Sequence, residues 1–135
     1  MKKIFVAAGI IKFGDEHLCM QRSRGKYDYV SFKYEFPGGK LEEGETGKEA
    51  LKRELFEEME MNVEIGDLFM EVDHTYPDFE INMKIYSCKA KSKDFVMNVH
   101  AGSVWLKPEH MKELDWALAD LPAVEKLIEE NKKAV

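Results

Sequence analysis

The feature that most constrains this chain is a single strong helical pattern, Thr46 to about Met59, set among stretches that alternate like β-strands. Thr46 with Glu49 three residues later is a capping box, so the helix has a physical start. Wound at about 100° per residue, it stacks Leu51, Leu55 and Met59 on one face, fit to anchor in a core. Glu54, Glu57 and Glu58 share an adjacent face at i, i+3 and i+4, with small Ala50 beside them and Arg53 on the flank, four residues before Glu57. Like charges at these spacings cost a helix only a few tenths of a kcal/mol per pair, and an acidic helix face is ordinarily just a solvated one. What raises this face above that reading is Pro37-Gly38-Gly39 shortly before it, a glycine-rich loop whose backbone can approach a ligand closely. Three convergent carboxylates make a hard-oxygen site of the kind Mg²⁺ or Mn²⁺ occupies, with water and phosphate oxygens completing the shell.

Around the helix the pattern is that of strands. Residues 4–12 read as one strand and residues 16–22 as another, joined by the Gly14-Asp15 turn. Tyr34 to Phe36 is a short extended piece. Val63 to Val72 and Phe79 to Ala90 read as strands, the second placing Phe79, Ile81, Met83 and Ile85 on one face. Val104 to Leu106 is a late strand and Pro108 to Met111 a helical turn, and Asp120-Leu121-Pro122 opens a final helix running to about Asn131. Strands with one early and one late helix give a mixed α/β or α+β sandwich. A length of 135 residues makes 1–135 one domain.

Charge and composition exclude several functions. A net charge of −6 is a poor basis for gripping a nucleic-acid polymer through its phosphates. An acidic protein can still hold a polyphosphate when divalent cations lie between the two negative partners. No apolar run approaches the roughly 20 residues of a membrane-spanning helix, and the opening Ile4 to Lys12 stretch reads as a strand rather than a leader. Cys19 and Cys88 build no disulfide framework and lack metal-site spacing, so a reducing cytoplasm is the expected compartment. Monomer and homodimer are equally compatible with the sequence.

The spacing around the acidic helix resembles the Nudix signature: a glycine, five residues, a glutamate, seven residues, Arg-Glu, an aliphatic residue, any residue, then Glu-Glu. Here these positions are Gly39, Glu45, Arg53, Glu54, Leu55, Glu57 and Glu58. The pattern next asks for a glycine and an aliphatic residue; Met61 keeps the second, while Glu60 replaces the first and puts the helix C-cap in question. The resemblance implies an α/β/α sandwich with a mixed sheet and Mg²⁺- or Mn²⁺-dependent hydrolysis of a nucleoside diphosphate linked to another group. It implies that Glu54, Glu57 and Glu58 bind metal, with Glu54 first in line as general base. Arg53 would orient Glu54 or Glu57, and Glu45 would stand near the metal or support the loop. The Gly39 backbone and the Lys40 side chain would face metal or phosphate.

Within that family, Tyr34 to Lys40 and the late Leu114 to Pro122 segment resemble the MutT-like triphosphate pyrophosphohydrolases, including the CTP-cleaving members. The resemblance implies base contact by Asp120, and capping of the last helix is an equally open role for it. Phe36, Tyr76 and Phe79 are candidates to stack on a base or to fill the core, and Arg22 either reaches a phosphate or is a surface charge. Where related chains carry a Glu-His pair before the late tryptophan, this one has Val99-His100, so a loop carboxylate is missing and Asp94 is the nearest substitute. His74 and His100 read as loop or surface histidines, and Met59, Met61, Met70 and Met83 as core fillers. The first reading is therefore a triphosphate pyrophosphohydrolase acting on an oxidised purine such as 8-oxo-dGTP or on a CTP-type pyrimidine. A hydrolase of nucleotide sugars or dinucleotide polyphosphates and a silent nucleotide sensor are the alternatives.

Overall fold

A computed structural model describes residues 1–134; Val135 lies outside the described residues. Apolar side chains alternating along the first strand decide the architecture. In β1 (Lys3–Phe13), Ala7 and Ile11 face one way and Ala8 and Ile10 the other, all four of them buried. A strand buried on both faces must lie inside a sheet covered on both sides. β1 runs parallel to β6 (Glu80–Lys89) from Lys3↔Glu80 to Lys12↔Lys89, and β6 pairs antiparallel with β5 (Glu64–Thr75).

The other edge of β1 is shared. Its end turns back through Gly14 into β2 (Glu16–Gln21), while Val6 to Ala8 pair with β4 (Gly38–Lys40). β2 in turn pairs with β3 (Tyr34–Glu35) and with β7 (Gly102–Leu106). The result is a mixed seven-stranded sheet with the path β3-β2-β1-β6-β5.

One face of the sheet is covered by α1 (Gly47–Met59), whose Leu51, Leu55 and Met59 pack with Ala7, Ile11, Leu18 and Met20. Each such side chain contributes about 2 kcal/mol by leaving water. The opposite face is covered by α2 (Leu121–Lys133), the 3₁₀ turn Pro108–Glu113 and the segment between them, which pack Val124, Leu127, Met111 and Trp116 against Ala8, Ile10, Cys19 and Ile85. This is the α/β/α sandwich with a mixed sheet. Among the described residues no helix is long and apolar enough to cross a membrane.

Three local expectations are corrected. Gly38 and Gly39 belong to strand β4 rather than to a loop. They are glycines because of crowding: a Cβ on Gly38 would lie 2.0 Å from the Ala7 carbonyl oxygen, and one on Gly39 would lie 2.5 Å from Glu54 Oε2. The helix C-cap survives without its glycine, because Glu60 itself takes the left-handed conformation at φ 49° and ψ 37°. Its N–H and that of Met61 then close the helix on the Phe56 and Leu55 carbonyls. Met70 is only half-buried, whereas Met59, Met61 and Met83 fill the core as expected.

Candidate active site

The acidic helix begins as its sequence dictates. Thr46 Oγ1 accepts from the Glu49 N–H at 3.2 Å and Glu49 Oε1 from the Thr46 N–H at 2.9 Å. This fixes the first turn and with it the phase of every carboxylate that follows. Arg53 is the hub of the acidic face. Its Nε donates to Glu45 Oε2 at 2.7 Å, and its Nη2 donates to Glu45 Oε1 at 2.9 Å and to the Lys40 carbonyl at 3.0 Å. Nη1 donates to Glu54 Oε1 at 2.8 Å and to Glu57 Oε2 at 3.2 Å. These hydrogen bonds from Arg53, helped by one from the Glu42 backbone N–H, hold the Glu45 carboxyl down to about 2. One guanidinium thus ties α1 to the segment before it and to β4.

The three helix glutamates part company beyond that hub. Glu57 is 58% exposed and turned to Arg53, whereas Glu54 and Glu58 line a cavity of about 860 Å³. Burial first, and then a hydrogen bond shared with Glu54, push the Glu58 carboxyl up to about 7. Among the described residues no three carboxylates, imidazoles or thiols stand together in ligating positions.

The donor chemistry nevertheless suits a hard divalent cation. Two carboxyls in contact relieve their repulsion by sharing a proton, and a cation can take that proton's place. The absence of any atom beyond Cα on Gly39 leaves room directly against Glu54.

Asp120, 4% exposed, lines the same cavity against Phe36, three residues before the Gly39 that abuts Glu54, so the Asp120 and Glu54 carboxyls meet different parts of one extended segment. Asp120 Oδ2 accepts from the Phe36 N–H at 2.9 Å. Burial above all, and then the charge of Glu35, push its carboxyl well above the usual range. Its side chain makes no capping bond to α2, so the capping role is ruled out. Phe36, at 2% exposure, packs its ring against Trp116 at 4.9 Å. Phe79 is half-buried, with its ring against Tyr27 at 5.8 Å and Tyr76 at 5.1 Å. Tyr76 itself is buried, its hydroxyl accepting from the Ala119 N–H at 3.0 Å.

Gly39, Lys40, Arg22, Phe36, Phe79 and Asp120 all reach the cavity with Glu54 and Glu58. Arg53 and Glu57 support it from outside. Asp94 lies in the exposed loop after β6, away from the cavity, and does not replace the missing carboxylate.

A family model for the NUDIX domain matches residues 3–132. The chain belongs to the Nudix family. Among its Nudix relatives, the 8-oxo-dGTP diphosphatase of Escherichia coli strain K12 is 37% identical over 83 residues, 62% of this chain and 64% of that enzyme. The match therefore spans just under two thirds of that relative's length. The CTP pyrophosphohydrolase of the same organism is 30% identical over 125 residues, 93% of this chain and 91% of that one. In three dimensions the MutT Nudix protein of methicillin-resistant Staphylococcus aureus 252 superposes with a TM-score of 0.75 at 35% identity, covering 96% of this chain and 99% of that one.

Sequence reasoning passed over two residues of this Nudix cavity. Glu35 lies between Arg22 Nη1 at 3.0 Å and His100 Nε2 at 3.0 Å. The His100 side chain is only 5% exposed, so it is no surface histidine. His74 likewise is no loop residue; it stands in β5, edge-on to Tyr76 at 4.4 Å. The available signal for Glu35 was a lone charge between two aromatics, Tyr34 and Phe36, in a stretch too short to show a period. For His100 the signal was its place in the family's Glu-His pair, kept here as Val99-His100, but only folding brings the loop after β6 against β3 and shows its contact with Glu35.

Proposed function

We propose that this Nudix protein is a pyrophosphohydrolase of nucleoside triphosphates, releasing a nucleoside monophosphate and pyrophosphate, with 8-oxo-dGTP-type purines and CTP-type pyrimidines as the substrate candidates. One observation carries the reading. A single cavity is lined by paired carboxyls, Glu54 and Glu58, where Gly39 abuts Glu54, and by a buried carboxyl with aromatic neighbours, Asp120 with Phe36 and Phe79, where Asp120 meets the Phe36 N–H three residues earlier in the chain. That polarity matches a ligand with a polyphosphate at one end and a base at the other. The names of the Escherichia coli relatives, an 8-oxo-dGTP diphosphatase and a CTP pyrophosphohydrolase, point the same way.

In this reading Glu54, Glu57, Glu58 and the Gly39 backbone would hold Mg²⁺ or Mn²⁺, which when bound would supply positive charge to the phosphates and a more acidic water. Glu57 reaches the site by leaving Arg53, to which it is held by one exposed bond. Glu54, fixed by Arg53 Nη1, accepts the proton of the attacking water as the new P–O bond forms and the bond to the pyrophosphate oxygen breaks. Arg53 touches no substrate and is a positioning residue. Lys40, exposed at the cavity mouth, supplies positive charge to the phosphates. Asp120 reads the base from below.

A base edge meets a carboxyl that either donates or accepts according to whether it carries its proton. The enzyme works as one domain over 1–135 in the cytoplasm, where its two buried thiols, both pushed up to about 12 by burial, stay unreactive. The deciding experiment is a panel of normal, oxidised and methylated nucleoside triphosphates, nucleotide sugars and dinucleotide polyphosphates with Mg²⁺ and product identification. Monophosphate and pyrophosphate from at least one triphosphate is the expected result. Failure to cleave any triphosphate would overturn the reading.

A further inference from the structure

Five cations among the described residues lie over an aromatic ring. Three of them also meet an oxygen: Lys3 pairs with Asp73, Lys93 with Glu16, and Lys126 donates to the Phe69 carbonyl. The other two, Arg24 over Phe32 and Lys26 over Tyr27, both at 5.4 Å, have a ring and no oxygen partner among the described residues. These two line the cavity, and the other three do not. A neutral ring holds a cation in place without cancelling its charge as a carboxylate would. The Arg24 and Lys26 N–H groups are exposed and left for an acceptor from outside the chain.

The segment that carries them is built rather than loose. Gly25, between the two, donates its N–H to Ser31 Oγ at 2.8 Å, and Ser31 Oγ donates to the Tyr27 carbonyl at 2.9 Å. Phe32 is held by Gln21 Nε2, which donates to its carbonyl at 3.1 Å. The Tyr27 ring lies against Tyr29 at 5.2 Å and Phe79 at 5.8 Å. Asp78, which also lines the cavity, accepts from the Tyr29 hydroxyl at 2.9 Å and from no cation.

Lys2 joins the same corner from the other side. Its carbonyl accepts from the Glu80 N–H at 2.8 Å, which sets it beside Phe79, the ring that Tyr27 meets. It too is exposed, lines the cavity and has no carboxylate partner among the described residues. This corner is remote from the acidic helix. Gly39, against Glu54, is level with Ala7 in the sheet, whereas Lys2 precedes Ala7 by five residues, roughly 16 Å at the rise of a strand.

The two regions act oppositely on a polyanion. The carboxylates of α1 repel it until divalent cations cover them, whereas uncompensated positive charge lining a cleft draws it in and raises its local concentration. We propose that Lys2, Arg24 and Lys26 form an anion-capture wall, where the polyphosphate of an incoming nucleotide docks before divalent cations seat it against the carboxylates. The nucleotide is taken from the function proposed above. Affinity for a polyphosphate without any divalent cation is the wall's own property and does not depend on cleavage.

Calorimetry of inorganic tripolyphosphate with the full chain in EDTA reads that property alone. The unaltered protein should bind it at low ionic strength. The triple variant Lys2→Gln, Arg24→Gln, Lys26→Gln should bind it about tenfold more weakly. In 1 M salt, where the screening length is about 3 Å, the difference should shrink to about twofold or less. Lys12→Gln, Lys89→Gln and Lys112→Gln together remove the same charge from three exposed lysines outside the cavity. That control should keep the unaltered affinity within about twofold. No tripolyphosphate binding by the unaltered protein, equal affinity in the wall variant, an equal loss in the control, or a loss indifferent to salt would each overturn the wall. With a triphosphate that the protein cleaves, the wall variant should show the same loss as a rise in KM, erased by salt. Failure to cleave any triphosphate overturns the function proposed above, while the tripolyphosphate measurement still decides the wall.

Discussion

The two ends of the cavity manage carboxylates in opposite ways. At the α1 end, charge is kept and shared: Glu45, Glu54 and Glu57 all draw on one guanidinium, Arg53, at distances of 2.7 to 3.2 Å. At the far end charge is suppressed: Asp120 is buried, receives one backbone N–H, and is pushed well above the usual carboxyl range. Glu58 is the intermediate case, half-buried and at about 7. A polyphosphate with its cations needs retained negative charge, whereas a base edge needs a directional hydrogen bond in a dry pocket. On the proposed function, this gradient along one cavity is what orients a nucleotide.

Glu54→Gln should break the charged end most severely. The expected loss is about 10²–10⁴ in kcat with folding scarcely changed, since removing a proton acceptor removes a transition-state contribution. Steady-state kinetics at saturating Mg²⁺ check this, and a near-normal rate would strip Glu54 of its role. Asp120→Ala tests the other end. It should change the ranking of kcat/KM among cytosine, guanine and 8-oxoguanine triphosphates by about tenfold while leaving the Mg²⁺ requirement alone. An unchanged ranking would make Asp120 only a support for the Phe36 backbone.

Glu58→Gln sharpens the contrast through stability. The folded value of about 7 lies above the ordinary 4.5, so folding favours the protonated carboxyl. Stability from this group is fully present below about pH 4.5 and is lost as pH rises through 7. Thermal unfolding of the cation-free protein should therefore show Glu58→Gln gaining about 1 kcal/mol over the unaltered chain at pH 8, a figure reduced because water reaches the group. The two should coincide at pH 4.5, and equal stability at both pH values would remove the strain assigned to the Glu54–Glu58 contact.

Glu60, the C-cap of α1, does not line the cavity, and Glu60→Gly should leave both regions untouched. Relieving a left-handed conformation that a glutamate adopts at a cost should stabilise the protein by about 1 kcal/mol or somewhat less, read as a rise in Tm with unaltered kcat.

The charged end was readable from sequence because it is local. Capping box, apolar stripe and acidic face all recur at helical spacing within residues 46–59. Even there the rotamers were hidden: the spacing left open whether Arg53 orients Glu54 or Glu57, and the structure has its Nη1 donate to both. The role of Gly38 and Gly39 was misread for a related reason: their lack of side chains answers to Ala7 and Glu54, which are remote in sequence. The pairing of Glu35 with Arg22 and His100 stayed invisible because the partners come from separate segments, 13 and 65 residues apart from Glu35.

Sequence alone determined the acidic helix, its start, the strands around it and the family whose spacing they keep, because each follows from backbone periodicity and short-range hydrogen bonds. Tertiary structure decided which carboxyls keep their charge and which residues form the cavity wall between Glu58 and Asp120. Desolvation and long-range pairing exist only once β1, with β4 and β6 at its sides, has brought distant segments to one face of the sheet.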